Sequence, residues 1–63
     1  MNEIIIERLK KSISKRVLIF LNNGFRYEGK ITNCDDKWVE ILNKFNNYDL
    51  IEITEVKSAE VKE

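Results

Sequence analysis

Between residues 3 and 13 the apolar side chains recur at Ile5, Ile6, Leu9 and Ile13, with lysine and arginine filling much of the other side. Spacings of three and four predict a short helix over about residues 3–13. Asn2 stands where an N-cap belongs, and Glu3 falls in the first turn, where the helix dipole favours negative charge. The run Ile4-Ile5-Ile6 weakens that helix somewhat, because β-branched side chains lose χ1 freedom in it. Beyond it the period changes. Val17-Leu18-Ile19-Phe20-Leu21 is a continuous apolar run, rich in β-branched and aromatic residues, and predicts a strand over about 16–22 buried on both faces. Asn22-Asn23-Gly24 then supplies a tight hairpin, since Asn-Gly tolerates the positive φ such turns require.

Alternation over about 25–34 places Phe25, Tyr27, Gly29 and Ile31 on one face and Arg26, Glu28, Lys30 and Thr32 on the other. A glycine on the inward face of a strand marks a bend or a close backbone approach. Cys34-Asp35-Asp36-Lys37 is a polar turn. Further strands follow over about 37–43, 49–53 and 56–61, separated by the turn-rich Asn43–Asp49 segment and a corner at Thr54-Glu55. One helix and five short strands at close spacing fit a compact sandwich or barrel. The helix can cap one open end, with Ile5, Leu9 and Ile13 sealing the core.

At 63 residues the chain amounts to one domain, of a size that is only marginally stable alone. Disulfides, a metal or oligomerisation usually support such domains. Cys34 is the single cysteine and there is no histidine, so neither an intrachain disulfide nor a zinc site is expected, and no cofactor is implied. Self-association or an unusually well-packed core remains. The hydrophobic fraction of 43% fits a folded protein. No apolar run approaches the roughly 18 residues of a membrane span, and the start does not read as a secretion signal, so a cytoplasmic protein without a membrane partner is expected.

The charges balance overall but are unevenly placed. Residues 1–30 carry seven cations against three acids, and residues 31–63 carry four against eight. No acid lies between Glu7 and Glu28. The cluster Arg8, Lys10, Lys11, Lys15 and Arg16 either binds phosphates or is a solvated helix face. Catalysis is not expected. The chain has no serine in a nucleophile context and no glycine-rich phosphate loop, and Asp35-Asp36 points to opposite faces if extended.

From Val17 to Asp35 the chain resembles the Sm-like family, which includes archaeal Sm-like proteins and bacterial Hfq proteins. An apolar strand leads to Gly24, and Gly29 follows five residues later. Ile31 stands two beyond Gly29 and Asp35 six beyond it. Val39-Glu40-Ile41-Leu42 supplies the following apolar strand. The resemblance implies a mainly β protein, with a short N-terminal α-helix followed by a strongly bent five-stranded antiparallel SH3-like barrel (the Sm fold). Gly24, Gly29 and Asp35 would be the structural motif. It also implies that the open fourth and fifth strand edges pair between copies in a ring, a hexamer or heptamer, with Ile51, Ile53, Val56, Ala59 and Val61 as interface candidates.

Two positions depart from the family. Val39 stands where a base-holding asparagine is typical, and Glu52-Ile53 stands where the family carries Arg-Gly or Lys-His. The expectation is therefore an RNA-binding or RNA-chaperone ring whose single-stranded RNA site is non-canonical. The alternatives are an oligomeric protein-interaction scaffold without RNA and a monomeric SH3-like adaptor. Lys37 and Trp38 lie at the base-stacking loop, and either stack RNA or pack in the barrel or a subunit contact. Phe45 and Tyr48 are either an interaction tip or turn anchors. Cys34 is expected to act as a small half-buried apolar residue.

Overall fold

The computed structural model describes residues 3–62. The elements are α1 (Glu3–Lys11), β1 (Arg16–Leu21), β2 (Arg26–Cys34), β3 (Trp38–Leu42), β4 (Tyr48–Glu52), a 3-10 turn (Ile53–Glu55) and β5 (Val56–Val61). The five strands form one antiparallel sheet in the order β4-β3-β2-β1-β5, so β4 and β5 are its two edges. The 3-10 turn links the edge strands, and Asn22 N–H donates to its Glu55 carbonyl at 2.9 Å, tying it to the hairpin.

The helix stops at Lys11, short of the expected 13, and Asn2 lies outside the described residues. Serine is the reason. Ser12 is buried, and its hydroxyl donates to the Arg8 carbonyl at 2.8 Å, satisfying one of the helix's orphan carbonyls. Ser14 then adopts φ 77°, which turns the chain out of the helix. Ser14 N–H donates to the Ile31 carbonyl and Ile31 N–H to the Lys15 carbonyl, fastening the linker to β2. Ile13 is consequently 40% exposed and does not seal the core, which Leu9 caps from the helix.

β1 is buried on one face only. Val17, Ile19 and Leu21 face inward, while Leu18 and Phe20 are half-buried on the outer face. At the hairpin only Gly24 takes a positive φ, 91°. Gly24 N–H donates to the Leu21 carbonyl and Leu21 N–H to the Phe25 carbonyl, so the connection is a three-residue loop ending in a left-handed glycine. β2 starts at Arg26, and Phe25 at the end of the hairpin is 66% exposed rather than packed in the core.

Gly29 lies where β3 crosses closely over β2. A Cβ there would sit 2.6 Å from the Leu42 carbonyl oxygen and collide with the Ile41 side chain. Two residues further, the β2–β3 register slips between Ile31 and Asn33, the signature of a bulge that bends a strand. Glycine and bulge together curl the sheet around Leu9, Val17, Ile19, Ile31, Val39, Ile41 and Ile53, each at most 2% exposed. Among the described residues no buried side-chain nitrogen or oxygen lacks a hydrogen-bond partner. No described helix is long and apolar enough to cross a membrane.

Candidate nucleic-acid interface

The loop after β2 is built by one carboxylate. Asp35 Oδ1 accepts the Lys37 and Trp38 backbone N–H groups, each at 2.8 Å, while Asp35 N–H donates to the Trp38 carbonyl at 2.9 Å. The bonds from Trp38 and then Lys37 hold its carboxyl below the usual range, because they favour the charged form. Asp36, next along, accepts a 2.6 Å bond from Lys10 Nζ and so pins the loop to the helix. The same bond raises the Lys10 pKa above its ordinary value.

This contact brings the two sequence-predicted clusters to one end of the sheet. Lys37 directly follows the pinned Asp36, and Trp38, 44% exposed, opens β3. Arg8, Lys11, Lys15 and Arg16 are exposed, and among the described residues none of them, nor Lys37, has a carboxylate within 4.0 Å. Lys10 differs from them because Asp36 already neutralises it.

Trp38, Asn33, Cys34, Asp35, Glu40 and Leu50 line an open cleft of about 260 Å³. Cys34 is half-buried there, and burial pushes its thiol pKa up, which leaves it a poor nucleophile. Thr32 Oγ1 donates to Glu40 Oε1 at 2.7 Å, fixing that carboxylate on the outer face.

Ile51, Ile53 and Val56, named above for subunit contact, are at most 4% exposed in the subunit's own core, so their side chains cannot cover a neighbour. They occupy the inward positions of the β4–β5 segment. The β4 edge instead presents Tyr48 and Leu50, 62% and 64% exposed, while Ala59 and Val61 on β5 are half-buried against the subunit's own core. Phe45 is 73% exposed beneath the Lys44 ammonium, at the tip of a loop held by Asn43, whose Oδ1 accepts the Phe45 and Asn47 N–H groups.

A second cleft, of about 280 Å³, lies at the far end of β1 between Phe20, Gly24, Phe25, Lys57 and Ser58. Two aromatic rings beside a lysine are the composition that base stacking uses. Sequence reasoning passed over it by treating β1 as buried on both faces. No alternation of residue type within the apolar run Val17–Leu21 marks Phe20 as outward; only the packed strand, which buries Val17, Ile19 and Leu21, shows it.

A family model of the LSM domain matches residues 7–60 of the chain. Among solved structures, the chain is similar to that of the pleiotropic translational regulator Hfq. The TM-score is 0.75 at 23% sequence identity, over 97% of this chain and 89% of that one. No curated protein matches the chain in sequence.

Proposed function

The chain belongs to the LSM domain family, and from that premise we propose that its copies join β4 edge to β5 edge in a closed six- or seven-membered ring that binds single-stranded RNA on its basic helix side. Two open edges in one sheet support the assembly, since closed rotational symmetry pairs both. The observation that carries the RNA reading is the group Arg8, Lys11, Lys15, Arg16 and Lys37, exposed and free of carboxylate partners among the described residues, with the 44% exposed Trp38 next to Lys37 in the chain. Cations follow the phosphates and an aromatic face takes a base. Repetition around a ring turns a weak patch into a strong one.

The positions where the family resemblance implies base contacts support a displaced site. Val39 is fully buried and Ile53 is 2% exposed, so neither side chain is available to a base, and Glu52 brings a negative charge. RNA on this reading avoids that place and follows the helix and the β1 start.

The test is a titration with short oligo-U and oligo-A at two salt concentrations, read by fluorescence of Trp38, the only tryptophan. Binding at low salt that weakens steeply with added salt, and is abolished by Lys11→Glu with Lys15→Glu, is the expected result. A ring that binds neither oligonucleotide at low salt would instead be the protein-interaction scaffold.

A further inference from the structure

The strand register aligns three cations that are distant in sequence. Arg16 on β1 stands directly opposite Lys30 on β2. On its other side the Arg16 carbonyl accepts the Lys62 N–H at 2.8 Å, which places Lys62 just past β5 as its neighbour there. All three are exposed, on the outer face, because Val17, one residue along β1, faces the core. Adjacent strands are about 4.8 Å apart, so Lys62, Arg16 and Lys30 form one row about 10 Å wide across three strands. Like charges directly opposite one another destabilise a sheet. A chain selected only for stability has no use for such a row.

The chain does little to neutralise it. Among the described residues neither Arg16 nor Lys30 has a carboxylate within 4.0 Å, and Lys62 has only Glu60, at the 4.0 Å limit. Glu60 and Glu28 stand one row along the sheet, opposite Leu18, and bound the basic row on that side. The result is a short basic strip with an acidic border, a shape that fits phosphate groups and gives them an edge.

We infer that the Lys62–Arg16–Lys30 row is an anion site for phosphate groups. This deepens the RNA reading by assigning Arg16 to the sheet rather than to the helix cluster, and by adding Lys30 and Lys62, which lie outside that cluster. It rests on that reading only for the source of the phosphates, which is the nucleic-acid backbone or a free polyphosphate.

Two arms separate those sources. In the first, oligo-U affinity is measured across a salt series for the wild type, Lys30→Gln, Lys62→Gln and the double variant, with Lys44→Gln as control. All these positions are exposed, and thermal melts check that the variants fold. Each single change in the row is expected to flatten the slope of log K against log salt by about 0.7, and the double by about twice that. Lys44→Gln leaves the slope unchanged. In the second arm, inorganic tripolyphosphate raises the melting temperature of the wild type and fails to raise that of the double variant.

RNA binding with wild-type slopes in every variant overturns the row while leaving the RNA reading intact. Loss of RNA binding in the wild type, together with a tripolyphosphate shift that the double variant lacks, keeps the row and removes the RNA reading. No tripolyphosphate shift and no RNA binding in the wild type removes both.

Discussion

The two edges of the sheet are made differently. β4 shows solvent the apolar Tyr48 and Leu50, flanked by the acids Asp49 and Glu52. β5 shows mainly Lys57, Ser58 and Glu60, with Lys62 just beyond, and its apolar Ala59 and Val61 are half-buried. Both strands turn their inner side chains into the same core. Two copies of the β4 edge would set acid against acid, whereas β4 against β5 sets an apolar, acidic strand against a mixed one carrying lysines. Unlike edges favour head-to-tail contact, and a head-to-tail contact repeats until it closes or runs on. The asymmetry of the edges, more than their openness, therefore argues for a ring over a two-fold dimer.

Proline on either edge gives the largest expected effect. Ile53 N–H donates to the Lys37 carbonyl and Lys62 N–H to the Arg16 carbonyl. Antiparallel alternation then points the Leu50 and Ala59 backbone N–H groups away from the sheet. Leu50→Pro or Ala59→Pro removes one outward donor without touching the internal ladder, and light scattering should find each variant near the 7.5 kDa of one chain. Mixing the two variants leaves one intact β4 and one intact β5, so a species of about twice that mass should form and grow no further. If Ala59→Pro alone still self-associates through β4, the edges do not pair as unlike partners.

The bend that keeps the two edges apart is the next target. Gly29→Val drives a side chain into Ile41 and the Leu42 carbonyl. Overpacking of this kind should cost about 3 kcal/mol in urea unfolding and weaken assembly with it. A smaller effect of opposite sign is expected at Ser14, where φ is 77°. Ser14→Gly relieves a left-handed non-glycine residue and should raise stability by about 0.5–1 kcal/mol, leaving both edges and the subunit mass unchanged.

The smallest effects are in pH. Asp35 has a folded pKa below its unfolded value near 3.8, so its contribution is present above that value and lost as pH falls through the folded pKa. Lys10 has a folded pKa above its unfolded value near 10.5, so its contribution is present below that value and lost as pH rises through the folded one. Asp35→Asn should flatten the acid limb of a stability profile and Lys10→Met the alkaline limb, each slightly, because both groups are exposed.

Local pattern revealed much of this architecture. The three-and-four spacing showed the helix, the alternation and the turn residues showed the five strands, and Gly29 marked the bend. What stayed hidden depends on placement across the sheet. Whether Ile51 and Val56 face the core or a neighbour is a question of register, and both faces of β1 look apolar until one is packed. Phe25 lies exposed at the hairpin rather than in the core, and the helix ends at Lys11, two residues before Ile13. At the candidate site, residue types pointed to a basic surface. That Asp36 neutralises Lys10, and that Lys30 and Lys62 flank Arg16, follows from contacts between residues 14 to 46 apart in the chain, which no local window contains.

Ring assembly through unlike edges is the claim on which the RNA-binding proposal depends, and the mass of the wild-type particle in solution tests it most directly. Light scattering across a concentration series should give six or seven times 7.5 kDa, independent of concentration once formed. A stable species of one chain, or of two, at every concentration would contradict it.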